Sequence, residues 1–395
     1  MLGNFVSGLG TQAGLVALPY QVFVQTRSPL LTGLLGAVEL GPLVAMALLG
    51  GALADRMDRR RLLLLDQVGL VLTAGGLYLA ALAGDPPVAL LYVLGGLLAG
   101  FAALQNVART AIVPNLVQRE DMPAALAVNF GLYQLTMVIG PGLGGLLIAA
   151  AGVAGAYAVD ATSCLAMVAA LRGLSPQLPG TDRQPLPIRR SIGEGLRFVR
   201  RSPALLGSFA IDLSAMTFGM PRALFPVLAV SVYGAGASGT GLLYASVSAG
   251  ATVGALTTRW LDHVRRLGLV VIVAVCAWGL AIAGAGAVTS LWPAAALLAV
   301  AGGADSVSAV CRSVINQTIT PDLMRGRMSS VFSLVVTSGP RLGDVEAGAV
   351  AAATSPRFSV VSGGLACVAG ALLVVAAFPA LATYDKTAAL AAGEA

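Results

Sequence analysis

Apolar runs separated by short polar or Gly/Pro-containing breaks recur along the entire chain. They fall at about 2 to 24, 30 to 53, 62 to 83, 88 to 108, 124 to 150 and 155 to 171, then at about 204 to 230, 239 to 259, 268 to 288, 292 to 318, 328 to 353 and 358 to 380. A bilayer-spanning helix needs roughly 20 mostly apolar residues, so each run predicts one span. The expected fold class is all-α: a polytopic membrane protein of twelve helices in two groups of six. The first run is the most diluted, by Asn4, Ser7, Thr11 and Gln12.

The longest polar gap, Arg172 to Pro203, divides the groups. It predicts a six-helix half over 1–171, a cytoplasmic linker over 172–203, a second half over 204–383 and a cytoplasmic tail over 384–395. The gap opens with Pro176, Pro179, Pro185 and Pro187. Further on, Ile192, Leu196 and Val199 recur at helical spacing among Arg189, Arg190, Arg197, Arg200 and Arg201. That pattern predicts an amphipathic helix resting on anionic lipid; a solvated linker is the plainer alternative.

The halves repeat one another. Ala108-Arg109-Thr110-Ala111-Ile112 and Pro114-Asn115-Leu116 lead to Gly140-Pro141-Gly142-Leu143-Gly144, while Cys311-Arg312-Ser313-Val314-Ile315 and Pro321-Asp322-Leu323 lead to Gly339-Pro340-Arg341-Leu342-Gly343. Both copies bridge the fourth and fifth helix of their half, the pattern of a parallel duplication about an axis normal to the membrane.

Composition agrees. The chain is 57% hydrophobic and 11% charged, against about 25% charged in soluble domains, which excludes a soluble enzyme. The net charge of +6 reads as topology, not nucleic-acid binding. The turns after helices 2, 4, 6, 8 and 10 and the tail hold 20 Lys and Arg, while the opposite loops hold only Arg27 and Arg357. This places both termini in the cytoplasm. Met1 leads into an apolar run with no basic n-region or cleavage motif, unlike a secretory signal. His263 is the sole histidine, so one chain builds neither a Ser-His-Asp triad nor a His-based metal cluster. Cys164, Cys276, Cys311 and Cys367 sit far apart in apolar runs, as packing residues do.

The turn after helix 2 reads Gly51-Ala-Leu-Ala-Asp55-Arg56-Met-Asp58-Arg59-Arg60-Arg61. It resembles the signature loop of the major facilitator superfamily, G-x-L-A-D-R-x-G-R-R, with Asp58 in place of glycine. A small Gly51 permits close helix approach, Asp55 can cap a helix, and the arginines hold the loop at the lipid surface. The corresponding turn of the second half keeps only Arg259, Asp262, Arg265 and Arg266. Gly140, Pro141, Gly144 and Gly145 fit the end of the superfamily's antiporter motif, although Ala127 and Thr136 stand at expected glycine positions. The same residues satisfy a dinucleotide fingerprint, but without any βαβ context. Within the superfamily the chain is most similar to the bacterial group containing the enterobactin exporter and macrolide-efflux-like proteins. That resemblance implies a secondary transporter of the bacterial cytoplasmic membrane.

Ionisable residues inside spans are costly and face a cavity or a partner. Glu39 lies roughly 13 Å from the outer end of helix 2 at the α-helical rise, which makes it the first candidate for proton coupling. Asp212 and Asp305 fall on helices 7 and 10, which line the cavity in the resembled fold, and are the next candidates. Arg341, roughly 20 Å into helix 11, with Asp344 and Glu346, is the candidate set for an ion pair between the halves. Glu39 stands equally as a proton site and as one arm of such a pair. Asp160 and Arg222 read as anchors near helix ends, and Asp66 as a residue near a cytoplasmic end. Gln12, Gln21, Gln105 and Asn106 are substrate-cavity candidates, each with the alternative of a helix-helix hydrogen bond.

The expected activity is proton-coupled export of a small amphipathic molecule, a drug or siderophore-like metabolite, by alternating access. Proton-linked uptake and lipid scrambling are the rival readings. No Walker, H-E-x-x-H or G-x-S-x-G sequence occurs, so the expected energy source is the proton gradient, with no cofactor and no metal. The expected partners are the substrate, protons and anionic lipid at the cytoplasmic face, with the chain a monomer.

Overall fold

The computed structural model describes residues 2–54, 57–116, 120–173, 175, 188–321 and 324–386. The twelve expected runs lie largely in helix: α1 (Leu2–Thr26), α2 (Pro29–Ala54), α3 (Arg59–Leu82), α4 (Val88–Leu116), α5 (Met122–Arg172), α6 (Ile188–Arg201), α7 (Pro203–Phe218), α8 (Phe225–Ser231), α9 (Gly236–Leu256), α10 (Leu267–Ala287), α11 (Leu291–Ile319), α12 (Arg325–Ala353), α13 (Pro356–Ala377) and α14 (Pro379–Ala382). Among the described residues there is no strand, and eight helical stretches are long and apolar enough to cross a membrane.

The breaks have local causes. Gly152, at φ +70°, interrupts α5 and joins the fifth and sixth runs in one continuous element, a backbone conformation that glycine adopts freely. The seventh run breaks at Gly219-Met220-Pro221 into α7, a 3₁₀ turn over Arg222–Leu224, and α8. Ser202 and Ser355 cap α7 and α13 by accepting from the amides of Leu205 and Phe358. Asp58, the departure from the signature loop, caps α3 by accepting from the Arg60 amide at 2.9 Å. An N-cap needs a short polar side chain, so the aspartate serves the turn directly.

The chain divides into two compact units, 1–185 with 225–245, and 186–224 with 246–395. The segment that follows the break in the seventh run, 225–245, groups with the first unit. The expected linker residues 174 and 176–187, like tail residues 387–395, lie outside the described residues. In the first unit Leu18, Leu70, Leu77, Leu91, Leu98 and Tyr157 form the core. Large apolar side chains on the other faces, among them Leu72, Leu79, Val273, Trp292 and Leu373, are mostly exposed. An apolar exterior over a packed interior suits helices immersed in lipid.

Candidate functional site: buried polar clusters in two units

In the second unit α7 carries Asp212 and α11 carries Asp305 and Arg312. Arg312 Nη1 lies 2.5 Å from Asp212 Oδ1, and its Nη2 lies 3.8 Å from Asp305 Oδ1. The Arg312 and Asp212 side chains are 2% and 1% exposed, and that of Asp305 is 20% exposed. Asp305 and Arg312 are seven residues apart, two helical turns, so one face of α11 presents both to α7. Ser308 lies between them on that helix, its buried hydroxyl without a hydrogen-bond partner among the described residues. Arg222 acts electrostatically on Asp305 as well.

The total of 20 cytoplasmic Lys and Arg includes Arg312, which falls inside the tenth run, with Arg325 and Arg327 of the following turn. The structure corrects this: α11 extends to Ile319 and packs Arg312 inside the protein. Arg109, counted in the same way, is half-buried in α4 with its guanidinium 4.7 Å from the centre of the Tyr133 ring.

Below the break in the seventh run, Asp344 of α12 accepts from the Ala223 amide at 2.9 Å and pairs with Arg341 at 3.5 Å. This carboxylate therefore ties down the 3₁₀ turn that follows α7. Gly343 permits it, because a Cβ there would meet the carbonyl oxygens of Met216 and Thr217 at 2.6 and 2.8 Å. Glu346, five residues beyond the pair's arginine, is half-buried.

The first unit holds a different arrangement. Asp160, expected near a helix end, is completely buried, eight residues past the Gly152 break. Its Oδ1 accepts from Thr11 at 3.1 Å and from Cys164 at 3.6 Å, and Gly14 packs against its Oδ2. Cys164 also lies 3.5 Å from the Ser7 hydroxyl, which donates to Gln67 at 3.1 Å; Gln67 in turn donates to Asp66 at 3.1 Å. Asp66, expected near a cytoplasmic end, is likewise fully buried. This chain of contacts joins α1, α3 and the second part of α5. Cys164 is thus a hydrogen-bonding partner as well as a packing residue.

The other candidates divide by what they touch. Glu39 is buried on α2 at 5% exposure. Gln21 is buried and accepts from the Tyr157 hydroxyl at 2.8 Å, while half-buried Gln12 donates to the Met137 sulfur at 3.3 Å. Both are therefore helix-helix contacts. Gln105 is half-buried on α4; Asn106 follows it, its side chain outside the described set. Of the signature loop, Asp55 and Arg56 lie outside the described residues, and Gly51 and Arg59 fall at the end of α2 and the start of α3. Arg60 donates from Nε and Nη2 to the carbonyls of Leu171 and Arg172 at 2.9 and 2.8 Å, capping the end of α5. A cation satisfying terminal carbonyls also complements the helix dipole.

The antiporter-like residues are contact points. A Cβ on Gly140 would meet Gln12, one on Gly144 the Ala13 backbone at 2.8 Å, and one on Gly145 the Ala237 carbonyl at 2.7 Å. Gly241 meets the Pro141 carbonyl in the same way. Small residues here let α5 lie directly on α1 and α9.

An apolar exterior with charged side chains packed between the helices describes a multi-pass membrane protein. The chain belongs to the major facilitator superfamily: its transmembrane secretion effector family matches residues 1–392. The enterobactin exporter EntS of Salmonella typhi is 32% identical over 392 residues, covering 98% of this chain and 93% of that protein. The enterobactin exporter of Citrobacter koseri is 31% identical over 376 residues, 95% of this chain and 89% of that protein. The fold matches the crystal structure of the nucleoside transporter NupG, with a TM-score of 0.73 at 14% identity over 97% of this chain and 98% of that one. It also matches the inward-facing crystal structure of a bacterial homologue of the iron transporter ferroportin, with a TM-score of 0.67 at 16% identity over 97% of each chain.

Proposed function

We propose that this chain exports a small, amphipathic, siderophore-like metabolite by alternating access, driven by the proton gradient. The substrate class rests on the enterobactin exporters, which align with nearly the whole chain. The observation that carries the coupling is the sharing of Arg312 between Asp212 and Asp305. Two carboxylates compete for one guanidinium, with Arg222 acting on Asp305 from further away, so a proton that neutralises either carboxylate releases Arg312 to the other. In a medium where an isolated charge is heavily penalised, arrival of that proton changes which carboxylate Arg312 holds, and so how α11 sits on α7. Glu39 is the second coupling candidate, as a proton site. The arginines of α6 would rest on anionic lipid.

Everted membrane vesicles provide the test. Enterobactin should accumulate in them when their lumen is acidified, and an uncoupler should abolish this. Asp212→Asn and Asp305→Asn at equal expression should lower proton-driven accumulation at least tenfold while leaving exchange of labelled for unlabelled substrate measurable. Loss with Glu39→Gln alone moves the coupling site to α2. Accumulation in right-side-out vesicles under an inward proton gradient establishes uptake instead.

A further inference from the structure

An apolar groove of about 800 Å³ lies in the second unit between α9, α10 and α11. At its base Gly254 and Gly303 bring the α9 and α11 backbones into contact. Its rims are Val253, Val273 and Val300, 61%, 60% and 57% exposed, so it opens onto the apolar exterior of the unit. Trp260, 48% exposed, stands at the end formed by the turn between α9 and α10. Arg259, Arg265 and Arg266 are exposed in that turn, offset by the exposed Asp262 and flanked by His263. Apolar walls, an amphipathic ring at one end and a net-positive turn just beyond it match a phospholipid in length order: acyl chain, interface, headgroup.

We propose that this groove holds an acyl chain of an anionic phospholipid from the surrounding bilayer, with the lipid phosphate on Arg259, Arg265 and Arg266. The exported metabolite suits it poorly, because a small-molecule site needs several converging polar groups and the lining offers only Thr257 and the Trp260 indole. A second copy in the same membrane orientation would bring two net-positive turns together. The proposal rests on the chain spanning a bilayer and is independent of transport direction or coupling.

Binding of phosphatidylglycerol and of phosphatidylcholine with identical acyl chains is measured on the purified full chain by native mass spectrometry and by thermal unfolding. The wild type should bind phosphatidylglycerol at least tenfold more tightly. An arginine near an anionic surface is worth about fivefold in affinity, so the Arg259→Gln, Arg265→Gln, Arg266→Gln variant should lose that preference while α6 keeps its own arginines. Ala304→Phe, or Val300→Phe if the former does not fold, should weaken both lipids together by filling the groove. Equal binding of the two lipids, a preference that survives the triple substitution, undiminished binding to the filled groove, or displacement by enterobactin overturns the proposal.

Discussion

Arg312 cannot be removed without leaving two carboxylates facing one another inside the protein. Breaking one side of a buried ion pair costs about 3–5 kcal/mol, so Arg312→Gln should lower the unfolding temperature of the purified protein markedly. Arg312→Gln combined with Asp212→Asn should recover a measurable part of that loss, since one orphaned charge is gone; a double-mutant cycle without coupling would refute the pairing. Arg60 offers a second test at this scale. Its two bonds need a planar fork that lysine lacks, so Arg60→Lys should destabilise nearly as much as Arg60→Gln, by roughly 1.5–3 kcal/mol, read as a shift in unfolding temperature. What the sequence left hidden at this scale is depth. Asp160, Asp66 and Arg312 stand within six residues of the end of an apolar run, and read as interfacial charges until the ends of the helices are known. Asp160 sinks because its helix begins at Gly152, and Arg312 is enclosed because α11 continues to Ile319. Asp212 and Asp305 were legible because each stands alone well inside a run; their shared partner was not.

Helices were readable because a bilayer demands long apolar runs, a signal stronger than any propensity. Their internal breaks were less so: the Gly219-Met220-Pro221 interruption lies inside a run that reads as continuous. Glycine contacts separate packing from mere composition. Gly145→Val should separate α5 from α9 and abolish folded protein or export, because its Cβ falls on the Ala237 carbonyl and on Gly241. Gly75 on α3 has nothing within 4 Å of its would-be Cβ. Gly75→Ala should therefore leave export unchanged and raise stability by up to about 1 kcal/mol, the helix-propensity difference. Expression yield, unfolding temperature and vesicle transport distinguish the two. If both substitutions behave alike, the close approach of α5 to α9 is not the reason for the glycine.

Across the whole molecule, the unequal distribution of arginine still sets the expected orientation. Moving Arg109 and Arg312 from turns into helices reduces the count on one side from 20 to 18, against two on the other. A C-terminal green fluorescent protein fusion should fluoresce and an alkaline phosphatase fusion at the same position should be inactive; the reverse pattern inverts the topology. Because 225–245 groups with the first unit, the chain passes between its units three times, after residues 185, 224 and 245. Of two independently inherited genes, one ending near residue 185 and one starting there, the first would encode an incomplete body. The first fragment would lack a piece that only the second carries, so co-expressed fragments should be recovered as a tight complex, whereas the first made alone should be degraded. A duplicated ancestor that acquired this strap could no longer be divided back into two self-sufficient proteins.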